Sequence, residues 1–428
     1  MPKRPNILLI TTHDSGRHFG CYGIPEVHTP VIDRLAGEGI RLTNYFATVP
    51  ICCASRASML TGQYPQTHGL MDLCHPNFGW ALRDGERHAS HILRDAGYRT
   101  TLYGIQHEVV DVETLGFDDV NTQYPIQGDV SHAESVAEGV ASFLTNEAGG
   151  DRPFYAQVGF LQTHTPFDIG GVKPDDSDGV YVPPYLVRDD DSVAQLSQLQ
   201  GAIKTVDNAV GTIVNALEDS GLAENTLLIF TTDHGIEVPR AKWNLYDPGI
   251  AIALVARWPG GGITGGRTCD HLLGNVGFLP TLLELIGVPI PANVEGHSFA
   301  SDLRDSNTPP ACDAIYGLYH KTNGRFVRTN THKLIRHFDA AFDYLNVPVA
   351  FADVLQKRGM KQVQLYDLEN DPNEFEDVSG KPEYAEIQAD LNGRLWRWLE
   401  SVNDPVLRGP VRTPTYERAI GEYERWRG

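Results

Sequence analysis

Residues 6–16 read NILLITTHDSG, an apolar run that ends in a polar turn carrying a histidine and an aspartate. A run this short, bounded by turn residues, is typical of a strand buried inside a sheet. Runs of the same kind recur at 99–104 (RTTLYG), 154–160 (FYAQVGF), 226–232 (TLLIFTT) and 252–258 (IALVARW). Together they predict the strands of one buried sheet.

Segments with helical periodicity separate these runs. They lie at 29–39, 88–97, 192–221 and 279–287. Strands that alternate with helices predict βαβ units, and therefore an α/β fold with a large, mainly parallel sheet sandwiched by helices. In such a sheet, ligands bind beyond the carboxyl ends of the strands.

The pattern changes after about residue 305. Residues 301–310 (SDLRDSNTPP) are typical of a linker, and strand-like segments follow at 314–319, 326–337 and 363–368. An amphipathic helical pattern then covers 383–402. We therefore predict a catalytic domain over 1–305 and a small α+β C-terminal subdomain over 306–428.

Composition excludes several classes of partner. The chain has 428 residues, of which 41% are hydrophobic, enough to bury a large core. It carries 35 basic against 55 acidic residues, a net charge of −20 with no long basic run, which argues against nucleic acid and anionic membranes. The apolar run 7–10 is too short for a signal segment, and no segment approaches the ~20 apolar residues of a membrane span. We expect a cytoplasmic protein.

Polar side chains follow four of the predicted strands. The residues concerned are His13, Asp14, His107, His164, Asp233 and His234. Such residues also cap turns, but two strand ends that each carry an aspartate and a histidine could converge on one divalent metal ion.

Residues 50–62, PICCASRASMLTG, predict a helix that starts near Cys52 and ends at a Gly62 cap. The amides and dipole at a helix N-terminus favour an anion, and Arg56 lies about one turn further on. The alternative is a small buried cysteine that packs the helix start. The chain has six cysteines without a CxxC pair, which indicates neither a disulfide framework nor a structural zinc site.

Cys52 to Arg56, followed by Leu60-Thr61-Gly62, resembles the signature of the type I sulfatases of the alkaline phosphatase superfamily. Five further segments carry the resemblance in the same order: 4–23 (RPNILLITTHDSGRHFGCYG), 28–47 (HTPVIDRLAGEGIRLTNYFA), 231–235 (TTDHG), 242–260 (KWNLYDPGIAIALVARWPG) and 364–378 (QLYDLENDPNEFEDV). The loop after Asp14 and the segment NLYDPG look most similar to heparan N-sulfatase (sulfamidase-like) members.

The resemblance implies an alkaline phosphatase-like fold and hydrolysis of sulfate esters or sulfamates on a small anionic substrate, such as a sugar. It also implies that a maturation enzyme oxidises Cys52, not Cys53, to formylglycine, since Arg56 falls four residues on. The family pattern gives roles to the following residues: Arg56, His164 and Lys242 to hold the sulfate, His107 to assist the nucleophile, and Cys52 with His13, Asp14, Asp233 and His234 to bind a divalent ion, calcium in most of the family.

The chain departs from the family pattern at two places. His13 stands where most members have an aspartate, which leaves manganese or zinc open as the ion, or a substrate contact for His13. The family's Lys-x-His appears here as Ile105-Gln106-His107, so the lysine is missing. We expect Arg17, His18 or His75 to balance the substrate's charge instead.

Two other functions remain open at this point, a phosphonate monoester or phosphodiester hydrolase and an inactive anion-binding pseudoenzyme. The aromatic segment 337–359 is expected to line the pocket or to pack on the catalytic domain. The sequence does not fix an oligomeric state.

Overall fold

The computed structural model describes residues 4–122, 132–148, 150–305, 308–338 and 361–427. Its strands are β1 (Asn6–Thr12), β2 (Ile40–Leu42), β3 (Tyr45–Phe46), β4 (Arg99–Gly104), β5 (Asp119–Asn121), β6 (Phe154–Phe160), β7 (Thr226–Thr232), β8 (Leu254–Arg257), β9 (Arg267–Cys269), β10 (Leu273–Gly274), β11 (Ile315–Tyr319), β12 (Gly324–Arg328), β13 (His332–His337) and β14 (Val363–Asp367). Its α-helices are α1 (Pro30–Glu38), α2 (Cys52–Thr61), α3 (Pro65–His68), α4 (Ala89–Asp95), α5 (Ala133–Asn146), α6 (Asp190–Asp219), α7 (Asp247–Ile250), α8 (Phe278–Leu285), α9 (Ala300–Arg304), α10 (Ala385–Ser401) and α11 (Pro414–Arg427).

The large sheet has the strand order β5-β4-β6-β1-β7-β8-β2-β9. Strand β1 lies at its centre and pairs in parallel with β6 and β7. In both pairings the register aligns the last residue of β1, Thr12, with the last residue of its neighbour, Phe160 or Thr232. The turns that follow these three strands therefore leave the sheet at the same level, which brings their polar side chains together.

Strand β1 is buried throughout and apolar from Ile7 to Ile10, because both faces of the sheet are covered. Leu8 and Ile10 pack into a core formed with α1, α5 and α6, whereas Ile7 and Leu9 pack into a second core with α2, α4 and α8. The mainly parallel α/β sandwich expected from the sequence is confirmed. Strand β8 is antiparallel to β7, so the sheet is mixed at that side.

A second, four-stranded antiparallel sheet, β11-β12-β13-β14, forms the C-terminal part and packs against α10. The segment 326–337, expected as one strand, is a hairpin, because the chain turns where the Thr329 amide donates to the His332 carbonyl. The expected linker begins as helix α9, and its remainder includes residues outside the described ranges.

The segment 337–359 lies almost wholly outside the described residues, so its expected role stays a prediction. Among the residues that the structure describes, no helix combines the length and apolar character needed to cross a bilayer.

Candidate active site

Helix α2 begins at Cys52 and presents this residue to the carboxyl ends of the central strands. Every residue of the helix is buried, and Gly62 ends it in the left-handed conformation (φ 68°), as expected. Residue Ile51 provides no side-chain cap, so the first-turn amides attract negative charge. The Cys52 side chain is only 1% exposed. Its Sγ lies within 4.8 Å of ring nitrogens of both His13 and His107.

The electrostatic surroundings favour an anion at Cys52. A hydrogen bond from Cys53 and the proximity of His107 lower the pKa of the Cys52 thiol well below its usual value, although burial opposes the shift. In turn, the Cys52 side chain raises the pKa of His107 against the effect of burial. Cys52 and His107 thus form a coupled pair at the helix N-terminus.

The side chains that follow β1 and β7 meet beside this pair. Donor atoms of His13, Asp14 and Asp233 lie within 4.8 Å of one another. His234 Nε2 lies 3.1 Å from Asp14 Oδ1, while its Nδ1 is 2.9 Å from the Gly235 carbonyl. The Nδ1–H therefore donates to the backbone, which leaves Nε2 free to bind a metal ion.

Several of these buried atoms make no hydrogen bond of regular geometry within the described part of the chain: both ring nitrogens of His13, Asp14 Oδ1 and His234 Nε2. Their nearest partners are one another and Asp233, at 3.1 Å between His234 Nε2 and Asp14 Oδ1 and 3.2 Å between His13 Nδ1 and Asp233 Oδ2. Buried polar atoms are normally satisfied, so this group has the character of a cation site. Two carboxylates and two imidazoles form its donor set.

The pKa shifts of the same group agree with this interpretation. His234, Arg56 and His13 lower the pKa of Asp233 despite its burial. Asp233 and Asp14 outweigh burial and raise the pKa of His234 to about 10. The two carboxylates thus stabilise positive charge in the site strongly. A divalent cation can provide that charge in place of the proton on His234.

Lys242 and His164 also reach the site, through Asp14. Lys242 Nζ donates to Asp14 Oδ2 at 2.7 Å and to Glu237 Oε2 at 2.9 Å. His164 Nδ1 lies 2.7 Å from the Thr165 carbonyl, so its Nε2, 4.0 Å from Asp14 Oδ2, faces the site. Glu237 was missed by the sequence reasoning, although it follows Asp233-His234 closely enough to have been considered.

Of the three residues expected to replace the family lysine, only His75 lies in the site, where its ring is edge-on to His107 at 4.8 Å. Arg17 donates to the carbonyls of Tyr45 and Ile252, and His18 is buried beside Tyr181, where burial lowers its pKa to about 4.

The reason for this error is the turn at Gly16. There the chain adopts φ 52° and its amide donates to the His234 carbonyl, which carries Arg17 and His18 away from the strand ends. The position of the family lysine is filled by Ile105, which is buried.

Arg56 also differs from its expected role. Its side chain is 1% exposed, and each nitrogen already has a protein partner at 3.0 Å: Nε donates to Asp233 Oδ2, Nη1 to Thr11 Oγ1 and Nη2 to the Thr12 carbonyl. Arg56 therefore lies behind the cation site. It holds the ends of β1 and β7 together and orients Asp233, so we assign it a positioning role instead of sulfate binding.

Comparisons with known proteins identify the family to which the fold belongs. A family model described as Sulfatase matches residues 5–288, and one described as N-sulphoglucosamine sulphohydrolase, C-terminal, matches residues 240–401.

An ulvan-active sulfatase of Formosa agariphila is 27% identical over 98% of this chain and 85% of its own length. The human N-sulphoglucosamine sulphohydrolase is 27% identical over 95% of this chain and 92% of its own length. A solved structure of a protein in complex with its substrate, D-glucosamine-2-N,6-O-disulfate, has the same fold, with a TM-score of 0.74, 20% identity and coverage of 95% of this chain and 99% of that one.

Proposed function

We propose that this chain, which belongs to the sulfatase family and is a sulfuric ester hydrolase, uses a formylglycine at position 52. The formylglycine would release sulfate from a small sulfated amino sugar. One observation carries the proposal. His13 belongs both to the group with Cys52 and His107 and to the group with Asp14 and Asp233, so the nucleophile and the cation donors share one side chain.

The Cys52 Sγ marks the position that the oxygens of formylglycine would take. A hydrated aldehyde there supplies one hydroxyl as the nucleophile toward sulfur and a second whose deprotonation releases the sulfate. A thiolate lacks this second hydroxyl and would leave sulfate bound. His107, whose ring nitrogens are buried without a hydrogen-bond partner among the described residues, is placed to take that second proton.

The donors of this site fit a divalent cation. His13, Asp14, Asp233 and His234 would hold it: donor atoms of the first three lie within 4.8 Å of one another, and His234 Nε2 lies 3.1 Å from Asp14 Oδ1. A divalent ion held there would lower the pKa of the nucleophilic hydroxyl and neutralise charge on the sulfate oxygens. With two imidazoles and two carboxylates, the donor set suits Mn²⁺ or Zn²⁺ better than Ca²⁺, which prefers six or more oxygen ligands.

Lys242, His164 and His75 would bind the sulfate group. Lys242 is buried between Asp14 and Glu237, which raise its pKa, so it keeps its charge in the site. The contact of His164 Nδ1 with the Thr165 carbonyl turns Nε2 toward the site, where the imidazolium form would donate a proton from Nε2 to the leaving group. A leaving amine needs that proton more than a leaving hydroxyl does, so His164 suits cleavage of an S–N bond as well as an S–O bond.

The substrate class is supported by the relatives. The human relative is named for N-sulphoglucosamine, and the structure with the same fold was solved with a glucosamine that carries N- and O-sulfate groups. We therefore propose glucosamine N-sulfate or 6-O-sulfate as the substrate class, with one sulfate removed per turnover.

Fragment mass spectrometry of the tryptic peptide 42–56, from protein made in its own host, tests the first step. We expect formylglycine at position 52 and an intact thiol at Cys53. Matured protein should then release sulfate from glucosamine N-sulfate or 6-O-sulfate, and Cys52→Ala should abolish turnover without changing the unfolding temperature. Turnover by Cys52→Ala, or preference for an aryl phosphonate over the matched aryl sulfate, would contradict the proposal.

A further inference from the structure

Two thiols and two imidazoles lie next to the nucleophile. The histidines take part in the chemistry above, whereas the two thiols have no place in it. We call Cys53, Cys74, His75 and His107 the thiol–imidazole cluster. Cys53 Sγ lies 3.6 Å from Cys74 Sγ, and the donor atoms of Cys53, His75 and His107 lie within 4.8 Å of one another. Three separate segments supply these residues: the first turn of α2, the loop that precedes α4 and the turn that follows β4.

The distances resemble those of a tetrahedral metal centre. Zinc–sulfur bonds are about 2.3 Å long, so two thiolates on one tetrahedral zinc ion lie about 3.8 Å apart. The observed 3.6 Å separation of the two sulfurs is close to that value. Ring nitrogens of His75 and His107 lie within 4.8 Å of Cys53 Sγ, and His75, which is partly exposed, offers the ion access from solvent.

Burial and charge also favour an ion at this place. Cys53, Cys74 and His107 are buried, and neither ring nitrogen of His107 has a hydrogen-bond partner in the described ranges. A buried charge is costly unless it is neutralised. Two thiolates and two neutral imidazoles around a divalent cation have zero net charge, so the ligated cluster satisfies this requirement.

We propose that the thiol–imidazole cluster is a second metal site, selective for a thiophilic divalent ion such as Zn²⁺ and separate from the site of His13, Asp14, Asp233 and His234. Binding converts two thiols, two neutral imidazoles and one hydrated zinc ion into a neutral complex with two sulfur and two nitrogen ligands. It releases two protons and the ion's water. No oxidant or reductant takes part.

The ion at this site inhibits the enzyme. His107 belongs both to the cluster and to the group with His13 and Cys52, so ligation to zinc removes the lone pair with which it would accept a proton. The inhibition rests on the function proposed for His107. Binding of the ion does not depend on that function. Because His75 is also proposed to bind the sulfate group, zinc would act as a reversible inhibitor that competes with substrate and leaves the cation site occupied.

Binding is tested first, on the Cys52→Ala protein, reduced with a phosphine and kept without oxygen, so that the nucleophile's own thiol cannot contribute. Co²⁺ is the probe, because cobalt bound to thiolate shows a charge-transfer absorption that carboxylate and imidazole sites lack. We expect one cobalt ion per chain with this absorption, and its loss when Zn²⁺ is added. An absence of thiolate absorption would overturn the proposal.

Cys74→Ser provides the test variant, since Cys74 has no role in turnover, and Cys269→Ser is its matched control. Cys269 lies with His271 and Asp302 in another group of possible ligands, remote in sequence from the cluster. We expect Cys74→Ser to weaken cobalt and zinc binding by at least about tenfold and Cys269→Ser to leave both unchanged. Equal binding by wild type and Cys74→Ser would overturn the assignment.

Inhibition is tested on the matured, Mn²⁺-loaded enzyme. We expect zinc to inhibit wild type, and to inhibit Cys74→Ser only at concentrations at least about tenfold higher, with unchanged turnover in the absence of zinc. If Cys74→Ser does not fold, protection of Cys53 and Cys74 from alkylation by added zinc, measured on wild type by mass spectrometry, gives the same answer. If the matured wild-type protein showed the thiolate–cobalt absorption but no turnover, the proposed function would be refuted and the second metal site would stand.

Discussion

Replacing Arg56 by lysine separates a positioning role from a sulfate-binding role. Lysine keeps the charge but has a single ammonium group, so it can keep the contact with Asp233 Oδ2 and loses those with Thr11 Oγ1 and the Thr12 carbonyl. Two lost hydrogen bonds to a charged group cost about 3–5 kcal/mol of unfolding free energy. With an unfolding entropy of roughly 0.9 kcal/mol/K for a chain of this size, Tm should fall by about 3–6 °C.

The functional effect should appear in the metal dependence. A less firmly held Asp233 is expected to weaken metal affinity about 10- to 100-fold, as loss of a residue that orients a ligand commonly does. Turnover of Arg56→Lys at low metal should therefore be reduced and should recover in excess metal, with KM close to that of wild type. Titration of the metal-depleted enzyme with Mn²⁺ or Zn²⁺ measures this.

Lys242→Met is the comparison variant, because Lys242 is the residue proposed to contact sulfate. It should raise KM, and excess metal should not restore activity. If Arg56→Lys behaved in the same way, with a higher KM and an unchanged metal dependence, then Arg56 would hold the sulfate and the positioning role would be refuted.

Three further predictions concern the metal and the stability of the fold. Asp233→Ala should lose the bound ion, and unchanged metal content by elemental analysis would mean that the site is misplaced. Arg325→Met leaves Asp404, paired with it at 2.7 Å and fully buried, without a countercharge; we expect a loss of about 3–5 kcal/mol in thermal unfolding, and a change below about 1 kcal/mol would contradict this. Burial lowers the pKa of His88 from 6.5 to about 3, so its stabilising contribution is complete above pH 6.5 and is lost as the pH falls toward 3, at about 1.4 kcal/mol per pH unit. The variant His88→Asn, which can still cap α4, should flatten this acid dependence in unfolding experiments, and an unchanged slope would exclude His88 as its source.

The central strands were predictable because burial on both faces leaves a continuous apolar run. Strands β4, β6 and β7 have the expected bounds, and β1 extends two residues beyond the apolar run. The strands β2, β5 and β9 were not predicted, since three residues carry no periodicity. The hairpin of β12 and β13 was merged into one strand because threonines with high β propensity flank its turn.

The candidate site was predictable where parallel strands determine the geometry. His13, Asp14, Asp233 and His234 meet because the register of β1 and β7 aligns the strand ends. A side chain's direction after a left-handed turn is not set by sequence spacing, which is why Arg17 was misplaced. The contact between Cys53 and Cys74 depends on how a loop folds over α2, and no local pattern indicates it.

The complete burial of α2 also means that Cys52 is accessible to another enzyme only before the chain has folded. Cys52 lies in the first turn of a helix without an exposed face, and a modifying enzyme needs its substrate as an accessible, extended peptide. The conversion proposed for this residue would therefore have to precede folding, so a maturation enzyme and the folding chain would compete for the same nascent segment. A chain that folds first would remain unmodified for its lifetime, and the fraction of active molecules would be decided near the ribosome instead of in the finished protein.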